Sequence, residues 1–262
     1  MYSNVDQLLN KVEDLKTLIS GNEPDIMLLT EIIPKAQRNE IHEAQLNVPG
    51  YEKFVNFKFS DQHLGASGKR GVAIYAKEEL DTEEIKLNPD YADHLWVEVT
   101  LRNKDILLCG CVYRSPSKDK DAENRTTQEI CEIISKAALR NNTRLLICGD
   151  FNYPDVDWEC DYSTNENAKI FLQKLQELHL YQHVCSPTRY REGQVPSLLD
   201  LIITTEEGMV TNLEHKPGLG ESDHECLEFH LNCYKDKTVR KALLNYYKSD
   251  FGTMRNRLDK MN

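Results

Sequence analysis

The sequence predicts an α/β domain built around mixed β-sheet, and three observations predict it. Three β-like runs follow one another closely: RGVAIYAK (70–77), LWVEVTLR (95–102) and DILLCGCVYR (105–114). Amphipathic helical stretches then separate the later strands RLLICGD (144–150) and LLDLIIT (198–204), as crossovers do in a mixed sheet. The 262 residues, 40% hydrophobic and 29% charged, suffice for the core of one large domain.

Taken in order, the chain starts with a short extended piece. Val5, Leu8, Leu9, Val12, Leu15 and Ile19 then recur at helical spacing, and Gly21 and Pro24 in GNEPD are expected to end that helix. DIMLLTE (25–31) reads as a short buried strand. Within 95–102, Leu95, Val97, Val99 and Leu101 alternate onto one face. Ile130, Ile133, Ile134 and Ala137 mark a second helix, and Ala168, Phe171, Leu172, Leu175 and Leu178 a third. CLEFHLNC (226–233) closes the strand pattern. Beyond Cys233 the chain becomes basic and helix-prone, with Phe251, Met254 and Leu258 at helical spacing. The expected organisation is one domain over 1–233 with an appended basic helical tail, 234–262.

The net charge of −11 weighs against a general polyanion binder, though it leaves room for a local basic groove. Acids gathered around a bound cation would add to the same count. Of the eight cysteines, Cys109, Cys111 and Cys148 lie inside apolar runs and none forms a Cys-x-x-Cys pair. Buried free thiols in a reducing compartment are expected, and a structural zinc site is not. No apolar stretch is long enough to span a bilayer and the first residues carry charge throughout, so the expected setting is intracellular.

The chemistry is carried by acids at the ends of strands. CGDFNYPDVDW (148–158) sets Asp150, Asn152, Asp155 and Asp157 just past a buried run. DIMLLTE ends in Glu31, SLLDLII holds Asp200 between leucines, and GESDHECLEF sets Asp223 and His224 just before a strand. An ionised carboxylate there is costly unless paired, hydrogen-bonded or bound to metal. One such acid is usually a cap or a turn residue; four at strand ends point to a site. Glu, Asp and Asn oxygens suit Mg²⁺ or Mn²⁺, and a His beside an Asp suits proton transfer or phosphate stabilisation. Together they point to metal-assisted attack of water on a phosphate ester.

These residues resemble the endonuclease/exonuclease/phosphatase superfamily, which includes pancreatic-type DNases, abasic-site endonucleases and inositol phosphatases. SNVDQL, PDIMLLTE, CVYRSP, GDFN, SLLDLII and SDH match the superfamily's motifs in its order along the chain. LLNKVEDLKTLISGNEPDIMLLTEIIPK, VPGYEKFVNF, GKRGVAIYAK and DLIIT are further similar to the endonuclease domain of jockey-like non-LTR retrotransposon polyproteins. The tail is similar to the segment leading toward a reverse transcriptase, and that polymerase is absent here.

The resemblance implies a four-layered sandwich of two mixed β-sheets flanked by helices, with the site at one end. It implies Glu31 as the main metal ligand, with Asp6, Asn4 and Asp223 completing the metal and phosphate shell. Asp150 and Asn152 would align or deprotonate the attacking water; which of Asp150 and His224 is the base stays open. His224, held by Asp200, would stabilise or protonate the phosphate, and Tyr113 would hydrogen-bond one of its oxygens. Thr188 falls at a phosphate-contacting position, Ser197 and Ser222 support the same side, and Arg70 and Arg114 belong to a basic rim. Tyr153 and Trp158 are candidates for stacking against DNA or for core packing. Only Met1, Tyr2 and Ser3 precede Asn4, so against the family's pattern the first strand is expected to be short.

The leading expectation is a Mg²⁺- or Mn²⁺-dependent DNA endonuclease that nicks one strand to leave a 3′-hydroxyl, as in target-primed retrotransposition. It would be nuclear if it acts on chromosomal DNA. An abasic-site nuclease or small-molecule phosphoesterase of the same fold is the alternative. A catalytically inactive binding protein is a third reading.

Overall fold

The computed structural model describes residues 1–34, 43–56, 70–87, 93–101, 104–140 and 143–233. The tail 234–262 lies outside these residues. In the first sheet, β1 (Tyr2–Asn4), β2 (Ile26–Thr30), β3 (Tyr51–Asn56) and β4 (Val72–Lys77) come from the first part of the chain. The second sheet takes β5 (Thr82–Ile85), β6 (His94–Thr100), β7 (Ile106–Tyr113) and β8 (Thr143–Asp150). The ribbon β9 (Val156–Asp157) with β10 (Tyr162–Ser163) stands apart. β11 (Tyr181–Gln182) and β12 (Asp200–Thr204) join the second sheet, whereas β13 (Val210–Lys216) and β14 (Cys226–Leu231) return to the first.

The strand orders are β13-β14-β1-β2-β4-β3 and β11-β12-β8-β7-β6-β5. The β1–β2 and β7–β8 pairs are parallel and the other pairs antiparallel, so both sheets are mixed. Between the sheets lie Tyr2, Leu28, Ile74, Val97, Cys109, Cys111, Cys148 and Ile202. Helix α1 (Val12–Asn22) covers the outer face of the first sheet, with Leu15 and Ile19 against Met27 and Leu29. Helices α2 (Lys120–Ala138) and α3 (Glu166–Glu177) cover the second, with Ile130, Ile134 and Phe171 beside Trp96 and Leu108. The architecture is the expected sandwich of two mixed sheets between helices.

Two local expectations need correction. The first helix starts at Val12 rather than Val5, after a 3-10 turn at Leu9–Lys11. Asp6 and Gln7 have φ of 33° and 77°, which turns the chain out of β1 before a helix can begin. Gly21 does not stop the helix. It ends at Asn22, where Glu23 turns left-handed and donates its N–H to the Ile19 carbonyl.

Gly149 matters because β8 packs tightly there. A Cβ added at 149 would lie 2.0 Å from the Val112 carbonyl oxygen, its register partner on β7. That contact is with backbone, which cannot step aside. Gly149→Ala is therefore expected to cost about 3 kcal/mol. Urea unfolding reads the loss, and an unchanged midpoint would show that β8 has slack.

Candidate active site at one end of the sandwich

The period of two along each strand carries the inter-sheet core into a polar layer at one end. Tyr2 leads to Asn4, Leu28 to Thr30, Cys111 to Tyr113, Cys148 to Asp150, and Ile202 back to Asp200. The last residue of each series is polar and buried. Register brings them together: Tyr113 lies opposite Asp150, Asp150 opposite Asp200, and Asn4 opposite Thr30. Glu31 follows Thr30 at φ 57°, a left-handed turn rare for a non-glycine residue. Asn152 is left-handed too, at φ 49°.

A cavity of about 420 Å³ opens on this layer. Asn4, Asp6, Glu31, Arg70, Tyr113, Asp150, Asn152, Asp223 and His224 line it, together with Ser115, Pro116, Arg189 and Arg191. Asp200 sits behind His224, with no exposure. Its Oδ2 is 2.7 Å from His224 Nδ1 and accepts the Thr188 hydroxyl at 2.6 Å, while its Oδ1 accepts Tyr2 Oη at 2.8 Å. A carboxylate facing Nδ1 fixes the proton on that nitrogen. His224 Nε2 is left toward Asp150 Oδ2 and Asp223 Oδ1, each 3.9 Å away.

Asp150 accepts Asn4 Nδ2 at 2.9 Å and the Asn152 N–H at 3.1 Å. Asn152 Nδ2 in turn donates to the Arg114 carbonyl at 2.8 Å. Burial, reinforced by the Asp200 charge, pushes the Asp150 pKa up to about 8. Burial works against a charged His224, but Asp200, Asp150 and Asp223 outweigh it and hold its pKa at about 9. Burial and then the Glu31 and Asp150 charges raise Tyr113 far above the ordinary phenol range, so it stays a neutral donor hydrogen-bonded to Glu31.

Both Asp150 and His224 bind protons more tightly folded than unfolded. Their contribution is complete below the unfolded pKa values and fades as pH rises through about 8 and 9. Without metal, stability is expected to fall from pH 6 to pH 9.5, with a shallower slope in Asp150→Asn. Thermal midpoints measured in chelator test this; parallel pH profiles for the two proteins would contradict it.

Several of the expected substrate contacts stand elsewhere. Thr188 is fully buried and serves Asp200: besides its donated bond, its Oγ1 accepts the Leu199 and Asp200 N–H groups. Ser197 pairs through its backbone with Thr188 and Arg189. Ser222 Oγ donates to the Asn4 carbonyl at 2.7 Å and accepts the His224 N–H at 3.3 Å. The Arg114 guanidinium turns from the cavity to the Asn152 carbonyl and Glu123, lying 4.2 Å over the Tyr153 ring. Tyr153 itself is buried, stacked on Phe171 with its hydroxyl on Thr127. These side chains brace the site from behind.

The sequence reading missed Tyr2, which bridges Asp200 and Thr30. Its signal was its place two residues before Asn4, hence on the same face of β1. Arg189 and Arg191, which from the sequence are either DNA contacts or part of a solvated loop, reach Asp223 Oδ2 at 3.1 and 3.7 Å.

The residues fit a divalent ion. Asp6 Oδ1 and Glu31 Oε2 each lie 2.6 Å from one nitrogen, Arg70 Nη2, so they can be no farther apart than twice that distance. A positive group already stands between them, and hard oxygen donors of this kind suit Mg²⁺ or Mn²⁺. One atom each of Asp150, Asp200 and His224 also lies within 4.8 Å of the others, a second grouping able to hold an ion. The bonds to both Asp200 oxygens make that trio better suited to orienting His224.

The chain shares its fold with solved endonuclease structures, among them the endonuclease domain of a non-LTR retrotransposon. Residues 107–228 match the family described as endonuclease-reverse transcriptase. The endonuclease domain of TRAS1, a telomere-specific non-LTR retrotransposon, is 18% identical with a TM-score of 0.61; the alignment covers 89% of this chain and 98% of that one. An AP endonuclease from Archaeoglobus fulgidus is 18% identical at 0.63, covering 88% and 98%. AP endonuclease LMAP from Leishmania major is 13% identical at 0.66, covering 87% and 85%. No curated protein matches the chain. Site and family match together support metal-dependent phosphoesterase chemistry in general. No helix among the described residues is long and apolar enough to cross a membrane.

Proposed function

We propose that the protein is a Mg²⁺- or Mn²⁺-dependent DNA endonuclease that hydrolyses one phosphodiester and leaves a 3′-hydroxyl. The observation that carries this reading is the convergence of Asp6 and Glu31 on one cationic centre beside Asp150 and an Asp200-held His224. Glu31 and Asp6 would hold the ion, with Asn4 and Asp223 at its edge. When bound, the ion would polarise a phosphate oxygen and acidify water. Asp150, fixed by Asn4 and the Asn152 backbone, would take a proton from an attacking water. His224 Nε2 and the Tyr113 hydroxyl would donate to phosphate oxygens. The family match and the TRAS1 likeness support DNA as substrate and a reverse transcriptase as the accompanying activity; the setting would be the nucleus if the substrate is chromosomal DNA.

The likeness to AP endonucleases favours a second reading, cleavage only beside an abasic site. Nicking of supercoiled plasmid with Mg²⁺, Mn²⁺ or EDTA, beside an abasic duplex, separates the two. Metal-dependent nicking of undamaged plasmid is expected. Cleavage of the abasic duplex alone would move the assignment to the second reading, and cleavage of neither would overturn both.

A further inference from the structure

Arg70 occupies an unusual place for an arginine in a site that must attract a cation. It is 2% exposed, and its Nη2 lies 2.6 Å from both Asp6 Oδ1 and Glu31 Oε2. Its Nε donates to the Ile33 carbonyl at 2.8 Å, and its own carbonyl accepts the Ile33 N–H, so the guanidinium is held beside Glu31 from both ends of the residue. Its Nη1 is buried with no acceptor among the described residues. The guanidinium is thus seated where two carboxylates need positive charge, rather than where its own five N–H groups are all satisfied.

We infer that Arg70 is a resident counter-cation, a positioning residue that competes with the divalent ion for Asp6 and Glu31. In the metal-free protein it neutralises two carboxylates that would otherwise repel each other inside a partly buried site. A metal seated between the converged Asp6 Oδ1 and Glu31 Oε2 takes the oxygens that Arg70 now holds, so part of its binding free energy goes into loosening that contact. The competition keeps the carboxylates converged without metal and lowers the affinity for metal. Removing the guanidinium charge has opposite effects on the two states: the metal-free protein loses stability and the metal-bound form gains relative to it.

This inference rests on Glu31 and Asp6 being the metal ligands, and the test separates the two ideas. Mn²⁺ binding is measured by calorimetry, and thermal midpoints with and without Mn²⁺, for the wild type, Glu31→Gln, Arg70→Gln and Arg70→Lys. Glu31→Gln is expected to lose the Mn²⁺ site; unchanged binding there would overturn the ligand assignment itself. Arg70→Gln is expected to bind Mn²⁺ at least about tenfold more tightly, a factor equivalent to ~1.4 kcal/mol. Its metal-free midpoint should fall, and Mn²⁺ should raise it by more than in the wild type. Arg70→Lys, which keeps the charge, should stay near the wild type in affinity. Mn²⁺ affinity unchanged or weaker in a folded Arg70→Gln, with Glu31→Gln still defective, would overturn the competition alone. Folding of Arg70→Gln only when Mn²⁺ is present would support it. Failure to fold in either condition would assign Arg70 to the fold and overturn the proposal.

Discussion

Asp150→Asn is expected to reduce metal-dependent plasmid nicking by about 10³-fold, within the range general bases contribute. Asn is nearly the same size and keeps one of the two oxygens that accept separately from Asn4 Nδ2 and the Asn152 N–H, so one of those bonds is lost, at about 1 kcal/mol, while the strand pairing of β8 is retained. It cannot take a proton from water. The same substitution removes a buried ionisable group whose pKa stands near 8, so the folded protein should no longer lose that contribution as pH rises. A fall in activity with preserved stability separates a chemical role from a structural one. Near-wild-type nicking would remove Asp150 from the mechanism and leave His224 as the base.

Asp200→Asn should damage both fold and chemistry. The carboxylate accepts from Tyr2, Thr188 and His224, and the last two converge on a single oxygen. An amide nitrogen there would oppose the Thr188 hydroxyl and the His224 Nδ1–H, and would leave an imidazolium buried without its counter-charge. Breaking a buried pair on one side costs about 3 kcal/mol, or roughly 10 °C in Tm for a domain of this size. The imidazole should titrate well below its present value of about 9, and nicking should fall about 10²- to 10⁴-fold. Calorimetry, the NMR titration of His224 and the plasmid assay read the three effects separately. A His224 titration unmoved by the substitution would show that Asp200 does not govern it.

Much of this site was legible because period-two alternation is a local property. Cys148 before Asp150, and Ile202 after Asp200, suffice to place those carboxylates on the core-facing side of their strands. What alternation cannot give is the course of the chain beyond a strand. Glu31 reaches Arg70 after a left-handed turn, and Arg114, one residue past Tyr113, swings back over Tyr153. Thr188 was expected to touch phosphate because it falls where the retrotransposon family carries a phosphate-contacting Thr, yet its hydroxyl is donated to Asp200. Of the strands that the hydrophobic pattern did not mark, β3, β5, β11 and β13 are sheet edges, and β9 and β10 form a two-residue ribbon outside both sheets. Edge strands have one unpaired side and little to bury, so they leave a weak apolar signal.

The pairing of β1 with β14 has a consequence for the order of events on the ribosome. Strand β1 is made first of the described strands, yet one of its two neighbours, β14, is made last of them. A nascent chain that has emerged only as far as Asp200 carries Glu31, Asp150 and most of both sheets, but neither His224 nor the strand that pins Tyr2 and Ser3 in place. Such a chain must wait with β1 half-paired, its closing contact separated by more than two hundred residues of sequence. The site is therefore completed late in synthesis: a chain arrested before His224 lacks the imidazole that Asp200 holds and the strand that pairs with β1.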